Sequence, residues 1–148
     1  MNLRDKALAM LERSRRWLEG ANREMEAGNY DNAVYMFQMA LETVTKALLT
    51  YFGIDFPKER DVSEPLRLLS TRAETPAWLR NELPSMADTI EELARVRGLA
   101  SYGYEHGLSL QDFAEKGHEY KEKVSTAFQS CERFLNRTKE DRAKSKIE

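Results

Sequence analysis

Four side chains with usable chemistry lie close together in the segment RGLASYGYEH, residues 97–106. Arg97 carries a planar guanidinium group, which binds phosphate or carboxylate oxygens through paired hydrogen bonds. Tyr102 and Tyr104 could stack on bases or donate hydrogen bonds to a phosphate oxygen. His106 titrates near neutral pH and is suited to general acid or base catalysis. These residue types favour a site that binds an anion or a nucleotide.

Each of these residues also has an ordinary structural explanation. Arg97 follows Met86, Ile90 and Leu93 at helical steps, so it shares their core-facing stripe. A guanidinium placed there requires a carboxylate, a phosphate or a partner surface, unless it extends to water. Glu42 on an earlier helix is the candidate carboxylate. The two tyrosines could equally cover the end of a bundle, and the histidine could be an ordinary surface residue.

The element that must position this segment is a long apolar helix between residues 28 and 53. Asn29 and Asp31 offer side-chain oxygens for its first N–H groups, and Gly53 suits its end. Its apolar residues recur at steps of three and four along the helix: Ala33, Phe37, Ala40, Leu41, Val44, Leu48 and Phe52. This stripe is wider than a surface helix needs, so the other helices are expected to pack around it.

The rest of the chain predicts further helices and one break. A first helix over 3–27 has an apolar side, and its mixed charges are typical of a solvated face. A short helix is expected at 63–71, another helix from about 85, a break over 101–108, and a last helix to 137. The fold class is therefore all-α, an up-and-down antiparallel bundle of four main helices plus one or two short ones. One domain spans 1–137, and the charged tail 138–148 is expected to be disordered.

The first two predicted helices invite a different interpretation, a helical interaction module without a ligand. Small and aromatic residues fall at the spacings of one tetratricopeptide repeat: Ala21, Gly28, Tyr30, Ala33, Phe37 and Ala40. An array of such repeats needs about three units to bury a continuous core. Nothing after residue 53 repeats the pattern, so we attribute it to the packing of a helical hairpin.

Composition narrows the classes of function. The 148 residues carry a net charge of −2, so a nucleic-acid role would require a local basic patch. With two histidines and one cysteine, Cys131, neither a metal site nor a disulfide is expected, and no motif indicates a cofactor. No apolar run is long enough to span a bilayer, and the charged N-terminus lacks a signal-peptide centre. We therefore expect a cytoplasmic protein that does not bind membranes.

Two parts of the chain resemble the HEPN domain, a small helical family found in prokaryotic proteins linked to nucleotidyltransferases and in several RNases. Residues 33–69 are similar to the family's helix of form A-x-x-x-x-Q-x-A-x-E-x-x-x-K-A-L-L, followed by a glycine, a loop and a short leucine-rich helix. The matching residues are Gln38, Ala40, Glu42, Lys46, Ala47 and Leu48. Residues 95–104, RVRGLASYGY, resemble the family's Arg-then-aromatic segment. The likeness covers roughly residues 5–135.

The resemblance implies specific roles for the segment after Arg97. Catalytic HEPN proteins carry an arginine, four to six residues, and then a histidine, and the toxin branch adds a tyrosine two residues further on. Arg97 fits the arginine and Tyr104 the final tyrosine, but Tyr102 stands where the histidine belongs. His106 is separated from Arg97 by eight residues, too many for the motif. Because a tyrosine with a pKa near 10 is a poor base at neutral pH, metal-independent RNA cleavage loses its expected acid or base.

The resemblance also implies partners. Family members usually form homodimers that bring two such sites together, and many are made beside a minimal nucleotidyltransferase. In the toxin branch that partner modifies the motif tyrosine, a role that could pass only to Tyr104. The first hypothesis is thus a non-nuclease or weakly active homodimer that binds a nucleotide, RNA or a nucleotidyltransferase. Its ligand-binding residues would be Arg97, Tyr104, His106 and Glu42.

Two alternatives remain open. One is a metal-independent RNase toxin of a toxin–antitoxin pair, with Arg97, Tyr102 and Tyr104 as catalytic residues or with His106 as an unorthodox partner. The other is the helical interaction module. Growth arrest that requires Arg97 would favour the RNase, and a neighbouring nucleotidyltransferase gene would favour either HEPN hypothesis.

Overall fold

The computed structural model describes the backbone of residues 2–56, 58, 61–102 and 109–147. Side chains are described for the same residues except 97–102 and 137–147. This part of the chain is helical without strands, which confirms the all-α class. The helices are α1 (Leu3–Ala27), α2 (Tyr30–Tyr51), α3 (Ser63–Leu69), α4 (Ala77–Arg80), α5 (Leu83–Tyr102) and α6 (Leu110–Ile147).

Local signals explain most of the helix ends. The Asn2 side chain accepts a hydrogen bond from the Asp5 N–H at 2.8 Å and so caps the start of α1. Gly28 ends α1 with a φ of 78°, a left-handed conformation that glycine adopts without a steric penalty. The expected cap of α2 is wrong in one detail, because the Asn29 side chain makes no capping hydrogen bond. At α6, Ser109 and Asp112 form the expected reciprocal capping box.

The helix α2 lies at the centre of the core, as its apolar stripe predicts. It packs against α1, α3, α5 and α6. Its fully buried apolar residues are Ala33, Val34, Phe37, Ala40, Leu41, Val44, Ala47, Leu48 and Leu49. Cys131 of α6 is also fully buried, and burial raises the pKa of its thiol to about 12. It is therefore a core residue rather than a reactive thiolate.

Side-chain pairs establish how α1, α2 and α6 run relative to one another. The Ser14 hydroxyl donates to the Ala40 carbonyl at 2.7 Å, and Thr50 contacts Met10, so α1 and α2 are antiparallel. The Tyr30 ring lies 6.2 Å from the His118 ring, centroid to centroid. At the other end of α2, Tyr51 lies 5.4 Å from Phe134 of α6. The helices α2 and α6 therefore run in the same direction.

The helix α5 runs opposite to α6. Trp78 of α4 precedes α5 in the chain, and the centre of its ring lies 4.1 Å from the Arg133 guanidinium of α6. Further along the chain, the Glu92 carboxylate of α5 interacts with the Tyr120 hydroxyl of α6. Residues later in the sequence of α5 therefore lie beside residues nearer the start of α6. The four long helices alternate in direction along the chain.

The structure corrects both predicted ends of α5. The helix α5 begins at Leu83 rather than after Pro84, since proline is tolerated in a first turn. It continues to Tyr102 at its other end, whereas we expected the helical period to break at Ser101. The helical backbone of α6 reaches Ile147, through the tail expected to be disordered. Because side chains from 137 onward lie outside the description, the domain boundary at residue 137 stays a prediction.

Candidate functional site

The predicted site residues are divided between two places in the fold. Arg97 and Tyr102 belong to the last turns of α5, where the backbone is described and the side chains are not. Tyr104 and His106 lie outside the described residues. Glu42 lies in the middle of α2 and is buried. The roles assigned to these five residues therefore stay predictions. Two features of the described structure bear on them: the backbone between Arg97 and Tyr102, and the surroundings of Glu42.

The first constraint is the helical backbone between Arg97 and Tyr102. Two positions five residues apart on an α-helix are separated by about 140° around its axis. Because a break was expected over 101–108, we expected Tyr102 to lie outside the helix, beside Arg97. That arrangement is wrong for Tyr102, since its backbone is helical and its position is on a different face of α5 from position 97.

The second constraint is the environment of the Glu42 carboxylate. Its Oε1 atom accepts a hydrogen bond from Lys46 Nζ at 2.8 Å, and its Oε2 atom accepts one from Gln38 Nε2 at 3.1 Å. The side chains of Lys46 and Glu42 are only 16% and 10% exposed. The ammonium group also lies 5.6 Å from the centre of the Phe56 ring. Both carboxylate oxygens are thus occupied by donors from α2 itself.

This arrangement gives the Q-x-x-x-E-x-x-x-K spacing a physical explanation. Gln38, Glu42 and Lys46 follow one another at steps of four, so they form a row along one side of α2. A charge pair withdrawn from water is retained only when each member keeps its partners. The row therefore satisfies the Glu42 carboxylate from within α2, and Glu42 does not require an external ligand. The Oε1 atom of Gln38 is the one atom of this row that is buried without a hydrogen-bond partner.

The alignment of the helices separates Glu42 from Arg97. Glu92 of α5 is level with Tyr120 of α6, and Arg97 lies five residues, about 7.5 Å, further toward the start of α6. On α2, Tyr30 is level with His118, and Glu42 lies twelve residues, about 18 Å, in the opposite direction. We infer that Arg97 and Glu42 of one chain do not form the ion pair considered above.

The same alignment brings the Arg97 backbone to one end of the bundle. The N-terminal end of α2, the C-terminal end of α5 and the beginning of α6 meet there, and we refer to it as the α5 end. Two helix N-termini carry partial positive charge at this end, which favours an anion. At the start of α6, hydrogen bonds from the Ser109 N–H and hydroxyl lower the pKa of Asp112. In the first turn of α2, Asp31 is a candidate carboxylate partner for Arg97.

Clefts elsewhere on the described surface also contain polar side chains. A cleft of about 490 Å³ between α5 and α6 is lined by Glu82, Ser85, Thr89, Glu119 and Lys123, among others. Lys123 Nζ is bonded to Glu119 at 2.8 Å there. A smaller cleft of about 310 Å³ lies on α1. Across the ranges that the structure describes, no three His, Cys, Asp or Glu side chains are grouped to hold a metal ion.

No described helix is both long enough and apolar enough to cross a membrane.

Comparison with known proteins supports the resemblance seen in the sequence. The model of the HEPN domain family matches residues 7–141, nearly the whole chain. No curated protein and no solved structure matches the chain. The matched region contains most of α1, all of α2 to α5 and most of α6, including the Gln38–Glu42–Lys46 row and the end of α5. The chain belongs to the HEPN domain family.

Proposed function

We propose that this HEPN protein binds the phosphate of a nucleotide or of RNA at the α5 end, through Arg97, without cleaving RNA. It acts as a homodimer beside a nucleotidyltransferase partner. The observation that carries the proposal is the sequence at the end of α5, where Tyr102 stands at the position that a histidine occupies in catalytic members. Arg97 is retained, and with it the means to bind an anion.

The loss of cleavage follows from proton chemistry. Attack by an RNA 2′-hydroxyl requires a base that accepts its proton near neutral pH. The phenol of Tyr102 has an ordinary pKa of about 10 and is protonated at that pH. His106 lies beyond the end of α5 and outside the motif spacing. The α5 end therefore retains a phosphate-binding arginine but has no suitable base at the motif position.

The case for an anion rests on the partners available to Arg97. The Glu42 carboxylate accepts hydrogen bonds from Lys46 and Gln38, and its position on α2 is far from the level of Arg97. An ion pair between Arg97 and Asp31 is the competing explanation, because Arg97 would then stabilise the fold instead of binding a ligand. A phosphate and an ion pair predict different results for the same substitution, so the two are separable by experiment.

The test measures binding and stability of the Arg97→Ala variant. Binding of a fluorescein-labelled single-stranded RNA and of ATP is followed by anisotropy and calorimetry, and unfolding is followed in urea. We expect about a tenfold loss of affinity with a small change in unfolding free energy, since a charge-assisted hydrogen bond contributes about 1.5–3 kcal/mol. Arg95→Ala is the matched control, because Arg95 is exposed on the same helix two residues earlier. Unchanged binding, or a loss of 3–5 kcal/mol in stability without any ligand, would contradict the proposal.

A second substitution tests the missing base. Tyr102→His recreates the spacing of catalytic members, and we expect it to cleave RNA in the presence of EDTA while the parent protein does not. Tyr102→Phe is its control, since it removes the hydroxyl without supplying an imidazole. Cleavage by the parent protein that disappears in Arg97→Ala would favour the RNase toxin instead. Light scattering is expected to show twice the 17.2 kDa mass of the chain.

A further inference from the structure

A cationic cleft lies on α1, and we call it the α1 cleft. It has a volume of about 310 Å³ and is lined by Arg13, Arg16, Trp17, Gly20 and Arg23 of α1 and by Met36 of α2. None of the lining residues is acidic. The chain as a whole carries a net charge of −2, so this cluster is a positively charged region on a protein whose net charge is negative.

The arginines of the cleft differ from their neighbour Arg15. Arg15 is bonded to Glu12 and Glu132, and its guanidinium lies 5.3 Å from the centre of the Phe128 ring. Those partners raise the pKa of Arg15. By contrast, Arg13, Arg16 and Arg23 have no carboxylate within 4 Å among the described residues. Their charge is therefore available to a ligand, whereas that of Arg15 serves the packing of α1 against α6.

The floor of the cleft is formed by close packing of α1 on α2. A Cβ atom at Gly20 would lie 2.4 Å from Met36 Cε, so only glycine leaves this depth without displacing the methionine. The Trp17 indole lines the same cleft, and its Nε1 donor is buried without a hydrogen-bond partner. The cleft thus combines guanidinium groups with an aromatic ring.

We propose that the α1 cleft binds the phosphodiester backbone of single-stranded nucleic acid, with a base against Trp17. The inference rests on the proposed function for its ligand class and extends it, because it selects a polynucleotide over a mononucleotide and assigns a second surface. Arg13 and Arg23 are ten residues apart, about 15 Å along α1. A single phosphate would not reach both, whereas a chain of phosphates would.

The chemistry of the lining favours this ligand over an acidic protein segment. Guanidinium groups bind phosphate oxygens in pairs, and a tryptophan between them offers a stacking surface that every base can use. Binding of this kind depends steeply on salt, because each neutralised phosphate releases counterions. For single strands the logarithm of the binding constant falls with the logarithm of salt concentration by about 0.7 per contact. Three arginines therefore predict a contribution of about 2 to that slope.

The experiment measures binding of a labelled twelve-residue oligouridylate between 50 and 300 mM KCl. We expect the triple substitution Arg13→Ala/Arg16→Ala/Arg23→Ala to weaken binding more than tenfold at low salt and to reduce the slope by about 2. Arg16→Ala alone should reduce it by about 0.7. Arg15→Ala is the matched control at the adjacent position, and it should leave the slope unchanged. Circular dichroism checks the fold, which alanine on exposed helix positions preserves.

A second readout uses tryptophan fluorescence. The chain has two tryptophans, so in a Trp78→Phe background Trp17 is the only emitter, and stacking of a base should quench it. Polyglutamate and inorganic phosphate serve as competitors. Competition by polyglutamate at the same charge concentration as the oligonucleotide would overturn the proposal in favour of an acidic protein partner. Competition by phosphate at that concentration would overturn it in favour of a single-anion site.

The two proposals fail in different ways. If the triple variant binds the oligouridylate as the parent does while Arg97→Ala does not, the α1 cleft is refuted and the α5 end stands. If the triple variant loses binding and Arg97→Ala keeps it, the α1 cleft stands and the α5 end is refuted. A parent protein that does not bind the oligouridylate at all overturns the α1 cleft, and ATP binding then decides the α5 end alone.

Discussion

At the scale of single residues, the same residue type has different roles in different surroundings. Arg15 is held by Glu12 and Glu132, whereas Arg16, one position later, lines an open cleft without a carboxylate partner. The sequence shows only that arginines and glutamates are interspersed along this helix. Which of them pair depends on whether α6 or solvent faces the position, and this is decided by packing. A charged helix face is thus not uniformly solvated.

The Glu42–Lys46 pair offers a residue-scale prediction about stability. Glu42→Ala leaves the mostly buried Lys46 ammonium group without its carboxylate, and we expect a loss of about 3 kcal/mol in unfolding free energy. Lys46→Met alone leaves the carboxylate unpaired and should also destabilise. The double variant Glu42→Ala/Lys46→Met removes both charges and should recover much of the loss. Urea denaturation of the four proteins forms a double-mutant cycle, and additive effects would show that the pair is not coupled.

At the scale of elements, a helix is predictable from the sequence when its apolar residues recur at a clear helical period. The helix α2 was predicted almost to the residue, because its apolar positions recur every three or four residues and it is buried on several sides. The end of α5 differs from the prediction, because the two glycines of residues 101–108, Gly103 and Gly107, indicate a break, whereas the helix continues through Gly98 and ends at Tyr102. A glycine inside a helix costs only about 1 kcal/mol relative to alanine, and the buried Leu93 and Val96 keep the preceding turns in place.

The α1 cleft was missed for a different physical reason. Its lining residues on α1 belong to the charged face of that helix, which the sequence predicts to be solvated. The cleft combines residues of two helices, because the Met36 side chain of α2 lies against Gly20 of α1. Contact between residues of two helices leaves no signal in the period of either one. A site of this kind is found only after the helices are packed.

The link between α1 and α2 gives an element-scale prediction. Gly28 has a φ of 78°, and a Cβ atom built there would meet nothing within 4 Å. A Gly28→Ala substitution therefore tests backbone conformation without a packing contribution, and we expect a loss of about 1–2 kcal/mol. Gly28→Asn should cost less, because asparagine tolerates the left-handed conformation better. Thermal unfolding measures both, and equal losses for alanine and asparagine would show that the φ angle does not limit stability.

At the scale of the whole molecule, the two proposed sites lie on different parts of the bundle. The α5 end comprises the end of α5 and the starts of α2 and α6, whereas the α1 cleft lies along α1 and includes Met36. The helix α1 packs against α2 and α6. The Arg23 end of the α1 cleft is level with the first turn of α2, since Ser14 of α1 is level with Ala40 and Arg23 lies nine residues further along α1. A single strand could then contact a cleft and the α5 end together, which would increase its affinity for the dimer.

The last prediction concerns the charged tail at the end of α6. Residues 138–148 contain a single large apolar side chain, Ile147, so they can bury little apolar surface even where the backbone is helical. We expect deletion of 138–148 to leave the midpoint of thermal unfolding nearly unchanged. A matched deletion that begins at 134 removes Phe134 and Leu135, which are 6% and 1% exposed, and should lower the midpoint strongly. Calorimetry of the three chains at one concentration measures both effects. A fall of several degrees in the shorter deletion would mean that the last turns of α6 pack against the bundle or against a second copy. Light scattering of the same sample would tell these two apart, because loss of the dimer changes the mass and loss of an internal contact does not.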